Sequence, residues 1–143
     1  MHPLQSTLIA LLALLSASGM PVHSAPARTA LLQTEAERSG YQRTGRYDEV
    51  VALCRQFARA YPKAVRCENF GSTPEGRPML ALIASQSGAL TPAAARRSGL
   101  PVVLIQGGIH AGEIDGKDAG FLALRELLDG RAAPAVLKQQ LLV

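Results

Sequence analysis

The 143-residue chain has room for one small domain at most, and its hydrophobic fraction of 48% is ordinary for a globular protein. It carries 15 Lys and Arg against 11 Asp and Glu, a formal net charge of +4, and its aromatic content is only 4%. Because the basic residues are mostly scattered, this composition predicts a solvated surface and excludes a nucleic-acid-binding stripe.

The amino terminus has the features of a targeting signal. Residues 7–16 form an apolar run that is too short to span a bilayer and has the length of a signal-peptide core. Small residues at 25–27 offer a cleavage site before Arg28, although no Lys or Arg precedes the apolar run. We predict a signal peptide over residues 1–27, export to the periplasm or the exterior, and no membrane attachment after cleavage. A buried N-terminal helix is the alternative interpretation.

The mature chain, residues 28–143, begins with a mixed polar segment that leads into a helix. Thr44 is placed to cap this helix at its N-terminus, and Pro62 ends it. One apolar stripe follows helical spacing along it: Val50, Cys54, Phe57, Ala58 and Tyr61. This stripe predicts a helix that faces the core.

Two strands follow the helix, and a turn joins them. Residues 65–70 and 79–85 are predicted as strands and residues 71–78 as the turn, which together favour an antiparallel hairpin. Cys54 and Cys67 form an even pair in a predicted oxidising compartment, so a disulfide is one interpretation. Two small buried thiols are the other, and the sequence favours neither.

A buried strand and a second helix complete the predicted elements. Residues 101–106 form an apolar, β-branched run typical of a strand inside a parallel sheet. Residues 114–128 are predicted as a helix whose small residues pack close to the sheet, and Gly130 is placed to end it. Residues 134–140 are predicted as a further helical turn and residues 141–143 as the opening of another buried strand. The predicted fold class is α/β, with a central sheet flanked by helices.

His110 and Glu113 lie between the buried strand and the second helix. Ligands collect at the carboxyl ends of strands in open α/β sheets, and imidazole and carboxylate groups suit Zn²⁺. The spacing therefore predicts a metal site with these two ligands. A helix-capping Glu113 beside an ordinary loop histidine is the alternative. An anion held by the glycine-rich turn is less favoured, because Glu113 and Asp115 would place negative charge beside it.

Two segments resemble the zinc carboxypeptidases, the carboxypeptidase A-like metallopeptidases. Residues 107–113, with the strand before and the helix after, resemble the family's first zinc motif. Residues 71–78, Gly-Ser-Thr-Pro-Glu-Gly-Arg-Pro, resemble its turn between the first two strands. The resemblance covers about residues 44–143. Asp115 departs from it, because many members carry an aliphatic residue there, which indicates a divergent subgroup.

The resemblance implies a mixed sheet flanked by helices, the phosphorylase/hydrolase-like carboxypeptidase fold, truncated after its first few strands. It implies a zinc-dependent metallocarboxypeptidase that hydrolyses C-terminal peptide bonds, with Zn²⁺ as cofactor and a peptide as substrate. His110 and Glu113 would bind the metal. Arg77 would help to bind the peptide; its alternative role is a turn residue paired with Glu75.

The same resemblance implies what the chain lacks. In this family the second His ligand and the Glu that acts as general base follow later in the chain, so the general base is expected beyond Val143. After residue 27 the chain contains one histidine, His110, and Asp115 and Asp118 are poorly placed as substitute ligands. We therefore expect a truncated chain that is inactive alone. A zinc amidase or deacylase on the same scaffold and a non-catalytic secreted binding module are the alternative functions.

Overall fold

The structure is a computed structural model that describes residues 29–110 and 112–143. The predicted signal peptide over residues 1–27 lies outside the described residues. The helices are α1 (Glu35–Arg38), α2 (Tyr47–Ala60), α3 (Pro92–Ser98), α4 (Asp115–Leu128) and α5 (Val136–Gln139), and the strands are β1 (Val65–Ser72), β2 (Pro78–Ala84), β3 (Val102–Val103) and β4 (Leu141–Leu142). Within these ranges no helix combines the length and the apolar character needed to cross a bilayer.

The four described strands form one mixed sheet in the order β1-β2-β4-β3. The β1–β2 hairpin is antiparallel, as predicted, with an irregularity between Asn69 and Gly71. Strand β4 pairs antiparallel with β2 and parallel with β3, so it joins the hairpin to the strand that precedes the candidate site. The predicted α/β class with a mixed sheet and flanking helices is confirmed.

The core lies where helices α2 and α4 meet the sheet. Phe57 of α2 is fully buried and stacks on Phe121 of α4, with ring centroids 5.7 Å apart. Leu137 of α5 and Leu142 of β4 belong to the same buried cluster. The apolar stripe predicted for the first helix therefore faces this core, because its period matches the helical repeat.

A disulfide links α2 to β1. Cys54 and Cys67 are bonded, with their Cα atoms 5.4 Å apart, and each belongs to a different element. The structure therefore favours the bridge over the alternative of two buried thiols. The bridge holds α2 against β1, which forms the opposite edge of the sheet from β3.

The prediction of a buried strand over residues 101–106 is wrong. The structure assigns only Val102–Val103 to a strand, and Leu104 and Ile105 are 70% and 61% exposed. Pairing with β4 does extend beyond β3, since the Ile105 amide donates to the Val143 carbonyl oxygen at 2.7 Å. The apolar run is exposed because β3 is the outermost described strand, and burial depends on neighbours rather than on composition alone.

The predicted cap at Thr44 is also wrong. Helix α2 is capped at Arg46, whose side chain makes no capping hydrogen bond. The Thr44 hydroxyl instead donates to the Asp118 carboxylate at 2.6 Å. Residues 29–46, which we call the lead segment, therefore contact helix α4 directly, and Leu32 and Thr34 of this segment are almost completely buried.

Candidate metal site

Two glycines set the position of the loop between β3 and α4. A Cβ atom added to Gly107 would lie 2.8 Å from the backbone carbon of Gly116, so the two backbones touch. Gly108 adopts a φ of +67°, a left-handed conformation that favours glycine. The loop therefore leaves the strand and returns to the start of α4 within a short distance. Of the small residues predicted to bring the helix close to the sheet, Gly116 makes a close contact with this loop, whereas Gly120 has nothing within 4 Å of an added Cβ.

His110 and Glu113 converge within this loop. His110 Nδ1 lies 3.0 Å from Glu113 Oε2, and the two side chains are 78% and 65% exposed. The Glu113 amide donates to the His110 carbonyl oxygen at 3.0 Å, which closes a turn between them. Helix α4 begins after Ile114 with no side-chain cap, so Glu113 does not act as the helix cap.

The donor atoms of this pair fit a shared metal ion. Zinc ligands at about 2.0–2.2 Å in a tetrahedral arrangement lie roughly 3.3–3.6 Å from each other. The observed distance of 3.0 Å between Nδ1 and Oε2 is slightly shorter, so the two side chains would have to move apart only a little to reach that spacing. The loop is exposed, so water has access to any remaining coordination positions. The pair can therefore supply two ligands.

A third protein ligand is not found in the part of the chain that the structure describes. Across residues 29–110 and 112–143 no group of three or more His, Cys, Asp and Glu side chains could hold a metal ion. Asp118 is nine-tenths buried and its carboxylate is engaged by Thr44 and by Lys117, whose Nζ lies 2.7 Å from Oδ1. Asp118 is therefore occupied elsewhere, which agrees with its predicted unsuitability as a ligand.

Arg77 lies at the end of the turn between β1 and β2 and is exposed. Its guanidinium carbon stands 5.6 Å from the centre of the Tyr47 ring, and the Tyr47 hydroxyl donates to the Pro78 carbonyl oxygen at 2.8 Å. A hydrogen bond from Thr73 is the main cause that lowers the pKa of Glu75, and the charge of Arg77 contributes less. Arg77 thus faces the Tyr47 ring and also interacts through its charge with Glu75, so the peptide-binding role and the turn-residue role both stay open.

A buried ionic network next to the site was not anticipated from the sequence. Lys117 Nζ lies 2.7 Å from both Glu49 Oε2 and Asp118 Oδ1. Glu49 Oε1 also accepts from the Glu35 amide at 2.5 Å. Lys117 and its partner Glu49 on α2 are 68 residues apart in the sequence, and Asp118 and its partner Thr44 on the lead segment are 74 residues apart. No local pattern therefore reveals these contacts.

Known proteins resemble this chain in sequence pattern and in fold. The zinc carboxypeptidase family pattern matches residues 50–139. No curated protein matches the chain. The fold is similar to the crystal structure of the carboxypeptidase A from Helicoverpa armigera, with a TM-score of 0.60 and 20% identity over 82% of this chain and 29% of that chain. The chain thus spans less than a third of that protein's length. Because the family pattern covers well over half of its residues, the chain belongs to the zinc carboxypeptidase family.

Proposed function

We propose that this chain contributes the first part of the active site of a zinc-dependent metallocarboxypeptidase, which hydrolyses C-terminal peptide bonds. His110 and Glu113 are the two zinc ligands that the chain supplies. The observation that carries the proposal is the 3.0 Å approach of Nδ1 to Oε2, at the loop that follows β3. Membership of a zinc carboxypeptidase family supports it.

The two ligands have distinct tasks in this proposal. The His110 imidazole would hold the metal through Nδ1, and the Glu113 carboxylate would offset part of the metal charge. When bound, the zinc ion supplies Lewis acidity toward a substrate carbonyl and lowers the pKa of a water molecule. Glu113 is a ligand here, and the general base is a different carboxylate that the family resemblance places beyond Val143. The third ligand is expected there as well.

Arg77 is proposed to bind the peptide on the upstream side of the scissile bond. Its guanidinium carries a fixed positive charge and five donors, which suit the carbonyl oxygens of a peptide backbone. The Tyr47 ring holds this group 5.6 Å from its centre while leaving the side chain exposed. In the complete enzyme, we expect Arg77→Ala to raise KM with little effect on zinc content.

The sequence encoded after codon 143 tests the proposal at the least cost. An in-frame continuation with a second His, a Glu and an Arg that binds the substrate carboxylate supports the peptidase. A stop codon at that point favours a non-catalytic secreted binding module. For the 143-residue chain alone we expect no release of a C-terminal residue from an N-blocked dipeptide, because two ligands do not complete a catalytic zinc site.

The decisive experiment uses the complete gene product. Zinc content and release of the C-terminal residue from an N-blocked dipeptide are measured for the parent, for His110→Ala and for Glu113→Gln. Both variants are expected to lose zinc and activity, whereas Glu75→Gln, a surface carboxylate in the β1–β2 turn, retains both. Cleavage of a non-peptide amide without dipeptide cleavage would instead support the amidase or deacylase alternative.

Export is part of the proposal. The apolar run over residues 7–16 and the small residues at 25–27 support a signal peptide over residues 1–27. The disulfide between Cys54 and Cys67 supports an oxidising compartment. Amino-terminal sequencing of the exported protein is expected to begin at Arg28, and a retained Met1 in the exported fraction would contradict the predicted cleavage.

A further inference from the structure

The first turn of helix α4 is attached at two adjacent positions. At Gly116 its backbone contacts Gly107, where an added Cβ would lie 2.8 Å from the Gly116 carbonyl carbon. At Lys117 its side chain reaches Glu49 of helix α2 at 2.7 Å. The loop that carries His110 and Glu113 ends at this turn. A movement of the turn would therefore displace one end of that loop.

Lys117 is the central cation of a network that is mostly shielded from water. The side chains of Lys117, Glu49 and Asp118 are 17%, 11% and 11% exposed. Burial alone would lower the pKa of Lys117, but hydrogen bonds to Asp118 and Glu49 outweigh it and raise the pKa. Lys117 is therefore charged at neutral pH and separates two carboxylates that would otherwise repel each other in a poorly hydrated space.

The network also draws in the lead segment. Thr44 donates to Asp118 Oδ2 at 2.6 Å, and Glu49 Oε1 accepts from the Glu35 amide at 2.5 Å and lies 3.3 Å from an Arg38 nitrogen. The lead segment, α2 and the first turn of α4 thus meet at Lys117. None of these side chains is a proposed metal ligand, so the network lies beside the site without belonging to it.

We propose that Lys117 is a positioning residue for the His110–Glu113 pair, because its contacts with Glu49 and Asp118 fix the first turn of α4 where the metal-binding loop ends. This inference rests on the proposed zinc-binding function. The lead segment then supports the metal-binding loop indirectly, since Thr44 and the Glu35 amide hold the two carboxylates that contact Lys117.

The opposite end of α4 provides a matched control. Arg125 is almost completely buried, pairs with Glu37 and donates to the Leu32 carbonyl oxygen at 2.9 Å, so it also joins α4 to the lead segment. It lies more than two helical turns from Lys117. Lys117→Met and Arg125→Met each remove one buried cation, so a general loss of stability should affect both alike, whereas a positioning role should affect the metal-binding loop only in Lys117→Met.

The first measurement needs no metal. Hydrogen exchange of the backbone amides in residues 107–116 is compared in the metal-free 143-residue chain and its variants. Lys117→Met is expected to accelerate exchange there about tenfold or more, which corresponds to about 1.4 kcal/mol of lost local protection. Lys117→Arg should keep the protection of the parent, and Arg125→Met should leave it unchanged in these residues. Equal acceleration in Lys117→Met and Arg125→Met would overturn the inference.

The second measurement is Zn²⁺ affinity, obtained by competition with a chromophoric chelator. Lys117→Met is expected to weaken binding about tenfold, as loss of supporting residues around metal ligands typically does, while Lys117→Arg and Arg125→Met stay near the parent value. Unchanged affinity in Lys117→Met overturns the positioning role alone. A parent chain whose Zn²⁺ affinity does not depend on His110 overturns the proposed function, and with it this inference.

Discussion

Two glycines control how closely the metal-binding loop approaches helix α4. A Cβ atom at Gly107 would lie 2.8 Å from the Gly116 backbone, which leaves no room for a side chain, whereas a Cβ atom at Gly116 would make a tight contact at 3.3 Å with the Gly107 Cα. Gly120, one turn further along α4, has nothing within 4 Å of its added Cβ. An added methyl group would therefore clash at Gly107 but not at Gly120, so alanine substitutions at the two positions test this contact directly.

Gly107→Ala is expected to destabilise the protein by about 1–3 kcal/mol, because the new methyl group would overlap the backbone of α4. It should also weaken Zn²⁺ binding, since relief of the overlap moves the loop away from the helix. Gly120→Ala is the control and should stabilise the protein by roughly 0.5–1 kcal/mol through its effect on helix propensity. Urea unfolding of both variants measures these changes, and equal destabilisation would contradict the predicted contact.

The lead segment is the element whose role the sequence concealed. Its mixed polar composition gives no sign of burial, yet Leu32 and Thr34 are buried and Glu37 pairs with Arg125. Burial alone would raise the pKa of Glu37, but hydrogen bonds from Arg125 and the Thr34 amide outweigh it, so the pKa lies below its ordinary value of 4.5. The ionised Glu37 carboxylate, paired with Arg125, therefore stabilises the attachment of the lead segment to helix α4.

This lowered pKa predicts a pH dependence with a definite sign. A carboxylate with a lowered pKa in the folded state stabilises the fold above its unfolded pKa, and this stabilisation is lost as pH falls through the folded value. The free energy of unfolding of the parent should therefore decrease from about pH 5 downward. Glu37→Gln should be less stable at pH 7 and show a shallower decrease. An identical slope in both proteins, measured by urea unfolding from pH 7 to pH 3, would refute this assignment.

The disulfide is a second contact between elements, because it joins helix α2 to strand β1. Cys54 and Cys67 are 13 positions apart, and closing a loop of this size contributes about 3 kcal/mol in the chain-entropy model. Reduction should lower the stability of the parent by about this amount. A double variant with Ala at both positions should not respond to reductant. Alkylation of the unfolded protein without reductant checks the bridge itself, since full labelling would exclude it.

Across the whole molecule, the elements that the sequence predicted well are those with a local signal. The stripe of α2, the β1–β2 hairpin and the span of α4 all depend on periodicity or turn composition, and the structure has them within a few residues of the predicted bounds. Burial of residues 101–106 could not be predicted in the same way, because it depends on which strands lie beside them. The ionic network of Lys117 depends on the tertiary fold and has no local signal.

The described chain leaves a large apolar surface uncovered. Val102, Leu104 and Ile105 are exposed beside the outer edge of the sheet, and Ile109 continues this surface into the loop. A cavity of about 550 Å³, lined mainly by apolar side chains, lies between the sheet and helices α2 and α4. Exposed apolar edge strands favour association, so the 143-residue chain is expected to self-associate.

Sedimentation velocity tests this expectation over a range of concentrations. The parent chain should show association that increases with concentration, and Leu104→Lys should reduce it by placing a charge on the exposed strand. Glu68→Lys is the control, because it changes the charge on β1, at the opposite edge of the sheet, and should leave association unchanged. A parent that remains monomeric at all concentrations would contradict the predicted exposure.

The central claim is that His110 and Glu113 bind one metal ion together. The most direct test is a Zn²⁺ titration of the 143-residue chain with His2→Ala and His23→Ala already present, followed through the imidazole nitrogen resonances of His110. We expect these resonances to shift on binding, and Glu113→Gln to weaken the apparent affinity at least about tenfold. Resonances of His110 that do not respond to Zn²⁺, or an affinity that Glu113→Gln leaves unchanged, would contradict the claim.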